Sequence, residues 1–240
     1  GKTTRKTIPT IKNYTILKQI CNLIPSHLVN RLAKKHGVDK KSRTFTPWSH
    51  VVTLIYAHLA HAISLNDVCD ALQMNNGALA TIRGATPPTR NNLSHANKVR
   101  DAAMAKELYW AMMDCLMRQS PSFAQSKMRS GYLRRFRRTI HAIDSTTIKL
   151  VANCLDWAKH RRRKAAAKCH LRLNLQSFLP SCAIIDTAKF HDARKARDVC
   201  AGLQSGEIAV FDKAYVDFNH LHELTERRVD WVTRAKDNMR

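Results

Sequence analysis

Apolar residues recur at helical spacing through the first half of the chain. Two patches, Ile16–Leu23 and His27–Lys35, carry it early, and Gly37 follows the second where a C-terminal cap is expected. Thr46-Pro47 reads as a helix start, with Thr as N-cap and Pro in the first turn. The helix it opens carries Trp48, Val51, Val52, Ile55, Leu59 and Ile63 on one face. Ser64 caps another, running to Met74 with Leu65, Val68 and Leu72 inward. Gly77, Gly84, Pro87 and Pro88 then break the pattern. One long helix is predicted from about Ser94 to Arg118, carrying Val99, Ala102, Ala103, Leu108, Met112 and Leu116, and the polar stretch Gln119–Ser130 reads as a linker.

Beyond Arg138 the pattern shortens and becomes β-branched. Strands are predicted at Thr139–Ile148, His170–Ser177 (alternating), Ser181–Thr187, Ile208–Phe211 and Val229–Thr233. Helices at Asp192–Leu203 and Asn219–Arg227 separate the later ones. Three meandering strands followed by helix, strand, helix and strand predict an α/β, ribonuclease-H-like core preceded by an all-helical domain. The expected boundary divides residues 1–125 from 126–240.

Charge changes the picture more than composition does. Hydrophobic residues at 44% and charged residues at 25% are ordinary for a globular chain. But 41 Lys+Arg against 18 Asp+Glu leave a net charge of +23. Self-repulsion of that size points to a polyanionic partner, nucleic acid foremost, against a merely solvated basic surface. The excess is concentrated: between Lys127 and Arg172 there are fourteen basic residues and two acids, Asp144 and Asp156. The densest part contains Lys159, Arg161, Arg162, Arg163 and Lys164, with Lys168 close behind. Beside a carboxylate site such a run would hold a DNA backbone without reading sequence. In the helical front, Arg83, Arg90, Lys98 and Arg100 are candidates for meeting DNA ends, although no clear helix-turn-helix motif is present.

The seven cysteines form no CxxC pair and read as small hydrophobes in a reducing environment. No HExxH motif occurs among twelve histidines, and His58 and His61 are expected to share a helix face. No long apolar run suggests a membrane span and no signal-peptide pattern opens the chain, so a cytoplasmic location is expected.

Two aspartates are placed where chemistry is plausible. Asp144 interrupts the apolar first strand, and Asp212 ends the fourth. In a ribonuclease-H-like sheet those strands are neighbours, so the two carboxylates would converge and call for a divalent cation. Strand-end aspartates also cap loops or solvate edges, and spacing alone leaves both readings open.

The segment Phe211-Asp212-Lys213-Ala214-Tyr215 resembles the second-aspartate motif of bacterial insertion-sequence transposases of the DDE type. Ala142-Ile143-Asp144-Ser145-Thr146-Thr147 resembles their first-aspartate strand, and the helical front opened by Thr46-Pro47-Trp48 resembles the N-terminal domain of one branch. The resemblance implies a DNA transposase in which Asp144 and Asp212 are catalytic and bind Mg²⁺ or Mn²⁺, two ions in the complete enzyme. It implies double-stranded DNA, as element ends and target, for a partner, and leaves room for a homo-oligomer in the DNA complex. Lys213 is its further candidate for phosphate contact, and Tyr215 a candidate for packing or phosphate contact. That branch places a third carboxylate, a Glu, in a motif of Tyr, Arg, Glu and Lys beyond the fifth strand, and this chain contains no such motif. Glu223, Glu226, Asp186 and Asp217 are poor substitutes by position. The expectation is therefore a core interrupted before its third carboxylate, with a DNA-binding inhibitor of transposition as the alternative function.

Overall fold

The computed structural model describes residues 11–40, 42–62, 64–121, 138–150, 159–160, 164–187 and 192–235. The chain divides into two compact units, residues 1–116 and 117–240.

The first unit is helical throughout its described residues, and its helix ends follow local chemistry. Helices α1 (Ile11–Leu23) and α2 (Leu28–Lys35) come first. At the end of α2, Gly37 adopts a φ of 64°, and the Val38 and Gly37 amides bond back to the carbonyls of Ala33 and Lys34. That is a Schellman closure, which a residue without Cβ adopts at least cost. Helix α3 (Pro47–Leu59) starts as predicted, the Thr46 hydroxyl accepting from the Ser49 amide at 3.1 Å. It stops four residues earlier than its apolar pattern suggests. His61 takes a φ of 48° and the Ala62 amide returns to the Ala57 carbonyl, a second Schellman closure with His in the glycine position. His58 and His61 therefore do not share a helix face.

Ser64 caps α4 (Leu65–Met74), and Gly77 lies inside a short helix, α5 (Asn76–Ala80), rather than in a break. The single long helix predicted from Ser94 is two helices, α6 (Arg90–Val99) and α7 (Ala102–Gln119). The interruption has a cause at Arg100, whose extended backbone lets its guanidinium donate to the Phe45 and Thr46 carbonyls and lie over the Phe45 ring. Asp101 then caps the new helix by accepting from the Ala103 amide at 2.8 Å. Two apolar clusters fill this unit, one around Leu17, Tyr56, Leu72 and Ile82, the other around Val29, Leu32 and Met104.

Over its described residues the second unit is a mixed sheet packed by two helices. Its strands are β1 (Ile140–Leu150), β2 (Lys159–His160), β3 (Lys164–Asn174), β4 (Pro180–Thr187), β5 (Ile208–Phe211) and β6 (Asp230–Thr233). They lie in the order β2, β3, β1, β5, β6, with β4 also paired to β3. β1, β3 and β4 form an antiparallel meander, while β5 and β6 run parallel to β1. The parallel pairings need crossovers, and α8 (Ala193–Cys200) and α9 (Phe218–Glu226) supply them. This strand order and direction are those of a ribonuclease-H-like core. The second strand begins six residues earlier than its alternating pattern indicated, because Ala165, Ala166 and Ala167 give no amphipathic signal yet continue the ladder with β1. Val199, Leu203, Leu221 and Leu224 of the helical side close over Ile143, Ala209 and Phe211. Full burial of each such large side chain is worth roughly 1.5–3 kcal/mol. Buried Arg172 ties α8 to the sheet by donating to the Val199 carbonyl and the Ser181 hydroxyl. Its guanidinium reaches to 2.9 Å of where a Cβ on Gly202 would sit, so a side chain there would displace it.

Candidate active site

Asp144 and Asp212 meet through the parallel pairing of β1 with β5. Ile143 and Phe211 are register partners, and each aspartate is the next residue along. Neighbouring strands lie about 4.8 Å apart, so the two backbones are adjacent. Ile143 and Phe211 point into the core under α8 and α9, and strand alternation turns Asp144 to the opposite face. Both aspartates are exposed. Each accepts from a nearby amide: Asp144 from Ser145 at 2.7 Å, Asp212 from Ala214 at 3.0 Å. The second bond caps the 3-10 turn Lys213–Tyr215. Arg234, after β6, places a guanidinium nitrogen 3.5 Å from the other Asp212 oxygen.

Beneath this pair, on the helix-packed face, lies a polar cluster that the sequence gave no reason to expect. Ser145 and His170 are cross-strand partners. The Asp192 carboxylate accepts from the Ser145 hydroxyl at 3.2 Å and from the Lys168 ammonium at 2.9 Å. His170 Nδ1 lies 2.8 Å from the Tyr215 hydroxyl and 3.7 Å from Asp192. Burial pushes the Tyr215 hydroxyl above the usual phenol range, and burial lowers the His170 imidazole against the pull of Asp192. Both rings are therefore neutral near neutral pH.

These contacts bear on two of the residues named above for DNA contact, and for Tyr215 they favour the packing role. Tyr215 is 1% exposed and packs in the core, and the side chain of Lys168 is largely enclosed and paired with Asp192. Neither is presented to a DNA backbone. Lys213 is half-buried in the turn after Asp212. Lys159 and Lys164 sit at the paired ends of β2 and β3, while Arg161, Arg162 and Arg163 lie outside the described residues.

The arginines of the first unit are committed elsewhere too. Arg83 donates to the Cys21 and Ile24 carbonyls with its guanidinium carbon 4.0 Å from the centre of the Trp48 ring. Arg90 pairs with Asp70 at 3.1 Å, and Arg100 is held as described above, which leaves Lys98 as the exposed member of that set without a partner among the described residues. Three of the four acids considered as alternatives are likewise engaged. Asp217 caps α9 by accepting from the His220 amide, Asp186 pairs with Lys195, and Glu223 pairs with Arg197. Cys21 and Cys200 are buried, and burial pushes both thiols up to about 11.

Two exposed carboxylates on neighbouring strands, one within β1 and one just past the end of β5, suit a hard divalent cation, which takes one or two carboxylates and fills its remaining positions with water. Among the described residues no group of three His, Cys, Asp or Glu side chains is placed to hold a metal ion. No described helix is long and apolar enough to cross a membrane.

Comparison with known proteins bears on both units. Residues 135–240 match the family described as Transposase DDE domain, and residues 12–82 match a domain of unknown function, DUF4372. A probable transposase for an insertion sequence element of Geobacillus stearothermophilus is 27% identical over 228 residues, covering 95% of this chain and 55% of its own length. A Sinorhizobium fredii protein named as a transposase is 30% identical over 152 residues, covering 63% of this chain and 38% of its own length. The chain thus spans between about a third and just over half of these relatives. Among solved structures, a piggyBac transposase synaptic complex with hairpin DNA aligns over 99% of this chain and 53% of its own, at 10% identity and a TM-score of 0.41, too loose to bear on the fold. The family match and the strand order fall on the same residues: 135–240 are similar to a transposase DDE domain and fold as a ribonuclease-H-like sheet.

Proposed function

We propose that this chain serves DNA transposition, as part of an insertion-sequence transposase whose first two metal-binding carboxylates are Asp144 and Asp212. The observation that carries the reading is the β1–β5 register, which sets both aspartates side by side within the matched domain. Bound Mg²⁺ or Mn²⁺ would supply the charge that activates an attacking hydroxyl and stabilises the leaving oxygen in phosphoryl transfer. The protein's share is to hold the two carboxylates on neighbouring strands, with Arg234 beside Asp212 as a further positive group for a phosphate to approach. Residues 159–164 supply the basic run that would track the DNA backbone, and a third carboxylate comes from outside the described residues. The helical first unit, with Lys98 exposed, is proposed to contribute to contact with element ends.

The test is a nicking and strand-transfer assay on labelled element-end DNA with Mg²⁺ or Mn²⁺. It compares this chain and a longer product of the same reading frame with their Asp144→Ala and Asp212→Ala variants. The reading expects metal-dependent cleavage by the longer product, reduced to background by either substitution, and DNA binding that survives both. Cleavage that persists in Asp212→Ala would remove that residue from the site.

A further inference from the structure

We propose that Ser145, Asp192, His170 and Tyr215 form a clamp beneath the two aspartates, positioning the stretch of β1 that carries Asp144 against the turn that carries Asp212. The inference rests on the proposed function for its purpose but not for its geometry. Ser145 follows Asp144 directly, and Tyr215 closes the 3-10 turn that Asp212 caps. Each is anchored on the opposite sheet face from Asp144, Ser145 to Asp192 and Tyr215 to His170. The anchors sit together, with His170 Nδ1 3.7 Å from the Asp192 carboxylate and Lys168 neutralising that carboxylate at 2.9 Å.

Asp192 carries the strongest sign that the arrangement is not incidental. It occupies the N-cap position of α8, where an aspartate ordinarily accepts from a first-turn amide. Its side chain makes no such bond. The carboxylate is turned instead to Ser145 and Lys168, so the helix forgoes its cap and the sheet gains an anchor. His170 and Tyr215, both 2% exposed or less, meet edge-on with ring centres 5.9 Å apart. The pairing therefore fixes ring orientation as well as distance. These four are positioning residues: none faces the side on which Asp144 is exposed.

A clamp makes a claim that separate local contacts do not, namely that loosening one end loosens the other. The experiment is amide hydrogen exchange on the 240-residue chain, comparing Ser145→Ala, Asp192→Asn and Tyr215→Phe, with Glu223→Gln as a control on α9. Coupled contacts typically share energy worth a severalfold change, so each variant is expected to raise exchange about fivefold in both segments, 144–147 and 212–216. The control should leave both unchanged. Exchange that rises only in the substituted segment would overturn the clamp. Ser145→Ala and Tyr215→Phe each lose a single hydroxyl, so the test stands even if Asp192→Asn, which leaves Lys168 unpaired, fails to fold.

A Mg²⁺ titration read at the Ser145 and Ala214 amides, the donors to the two carboxylates, supplies the second arm. Both should shift with one affinity in the unsubstituted chain, weakened about fivefold in Tyr215→Phe. Unaltered affinity there would contradict the positioning role. Amides silent to Mg²⁺ in the unsubstituted chain would count against the metal pair, while exchange would still decide the clamp.

Discussion

In the first unit, guanidinium groups that interrupt apolar helices end on backbone carbonyls and aromatic faces. Arg83 lies over Trp48 and reaches the end of α1, and Arg100 breaks one helix into two to reach Phe45 and Thr46. A chain of hydroxyls does similar work, Ser49 bonding Thr46 at 2.9 Å and Thr86 at 3.1 Å. In the second unit the notable charges divide into two layers. Lys168, Asp192 and Arg172 are enclosed and satisfied, while Asp144 and Asp212 stand exposed directly above them. The difference teaches how to weigh a charged residue. Where its hydrogen-bonding capacity is consumed by the fold, its role is structural, however basic the chain. Where capacity is left facing outward over a braced support, it is available for chemistry.

The comparison can be broken first at the basic run. If residues 161–163 track DNA, neutralising Arg161, Arg162 and Arg163 should lower the slope of log affinity against log salt by up to about 2.7, roughly 0.9 per phosphate contact. An unchanged slope would remove the run from the interface. The converse holds in the first unit. Arg83→Ala should destabilise the chain by about 2 kcal/mol, through two lost carbonyl bonds and the lost cation–π contact, as read by denaturant unfolding. The same variant should leave the salt slope of DNA binding unaltered, and a reduced slope would show that Arg83 also meets phosphate.

A smaller effect is expected at Thr46, whose replacement by Ala removes an N-cap worth about 1 kcal/mol. Acid should weaken the second unit by a separate route. Burial holds His170 and His220 below their ordinary value of 6.5, and among the described residues neither His220 ring nitrogen has a hydrogen-bond partner, the Glu223 carboxylate lying 3.8 Å from Nδ1. The unfolded chain then binds protons that the folded unit resists. Stability is complete above about 6.5 and is lost as pH falls through the lowered values. Exchange protection in α9 compared at pH 7.5 and 5.5 checks this, and His220→Asn should flatten the dependence. Smallest of all, Asp144→Asn should change stability by no more than about 0.5 kcal/mol, as for any exposed side chain without buried partners.

Much of the fold was legible because its signals are local. Thr46-Pro47, Ser64 and Gly37 announce helix ends through chemistry confined to a few residues, and the short apolar run Ile208–Phe211 announces a buried strand. The break at Arg100 was not legible, since its cause lies more than fifty residues away at Phe45. The alanines opening β3 and the two-residue β2 carry no periodicity to read. At the site, the two aspartates were marked by position and by family resemblance. Asp192 was not, because it looks like an ordinary helix cap. The motif leaves Tyr215 open between packing and phosphate contact, and the basic run offers Lys168 for DNA; burial of the first and the pairing of the second with Asp192 are features that sequence does not display.

The central claim is that Asp144 and Asp212 act as one divalent-cation site. Mn²⁺ is paramagnetic and broadens nearby amide signals, so its addition to the isotopically labelled chain tests the claim at the residues concerned. The account predicts broadening centred jointly on Ser145 and Ala214, lost at both amides in Asp144→Asn and equally in Asp212→Asn. Broadening at one amide that survives substitution of the other aspartate, or broadening centred elsewhere in the chain, would contradict it.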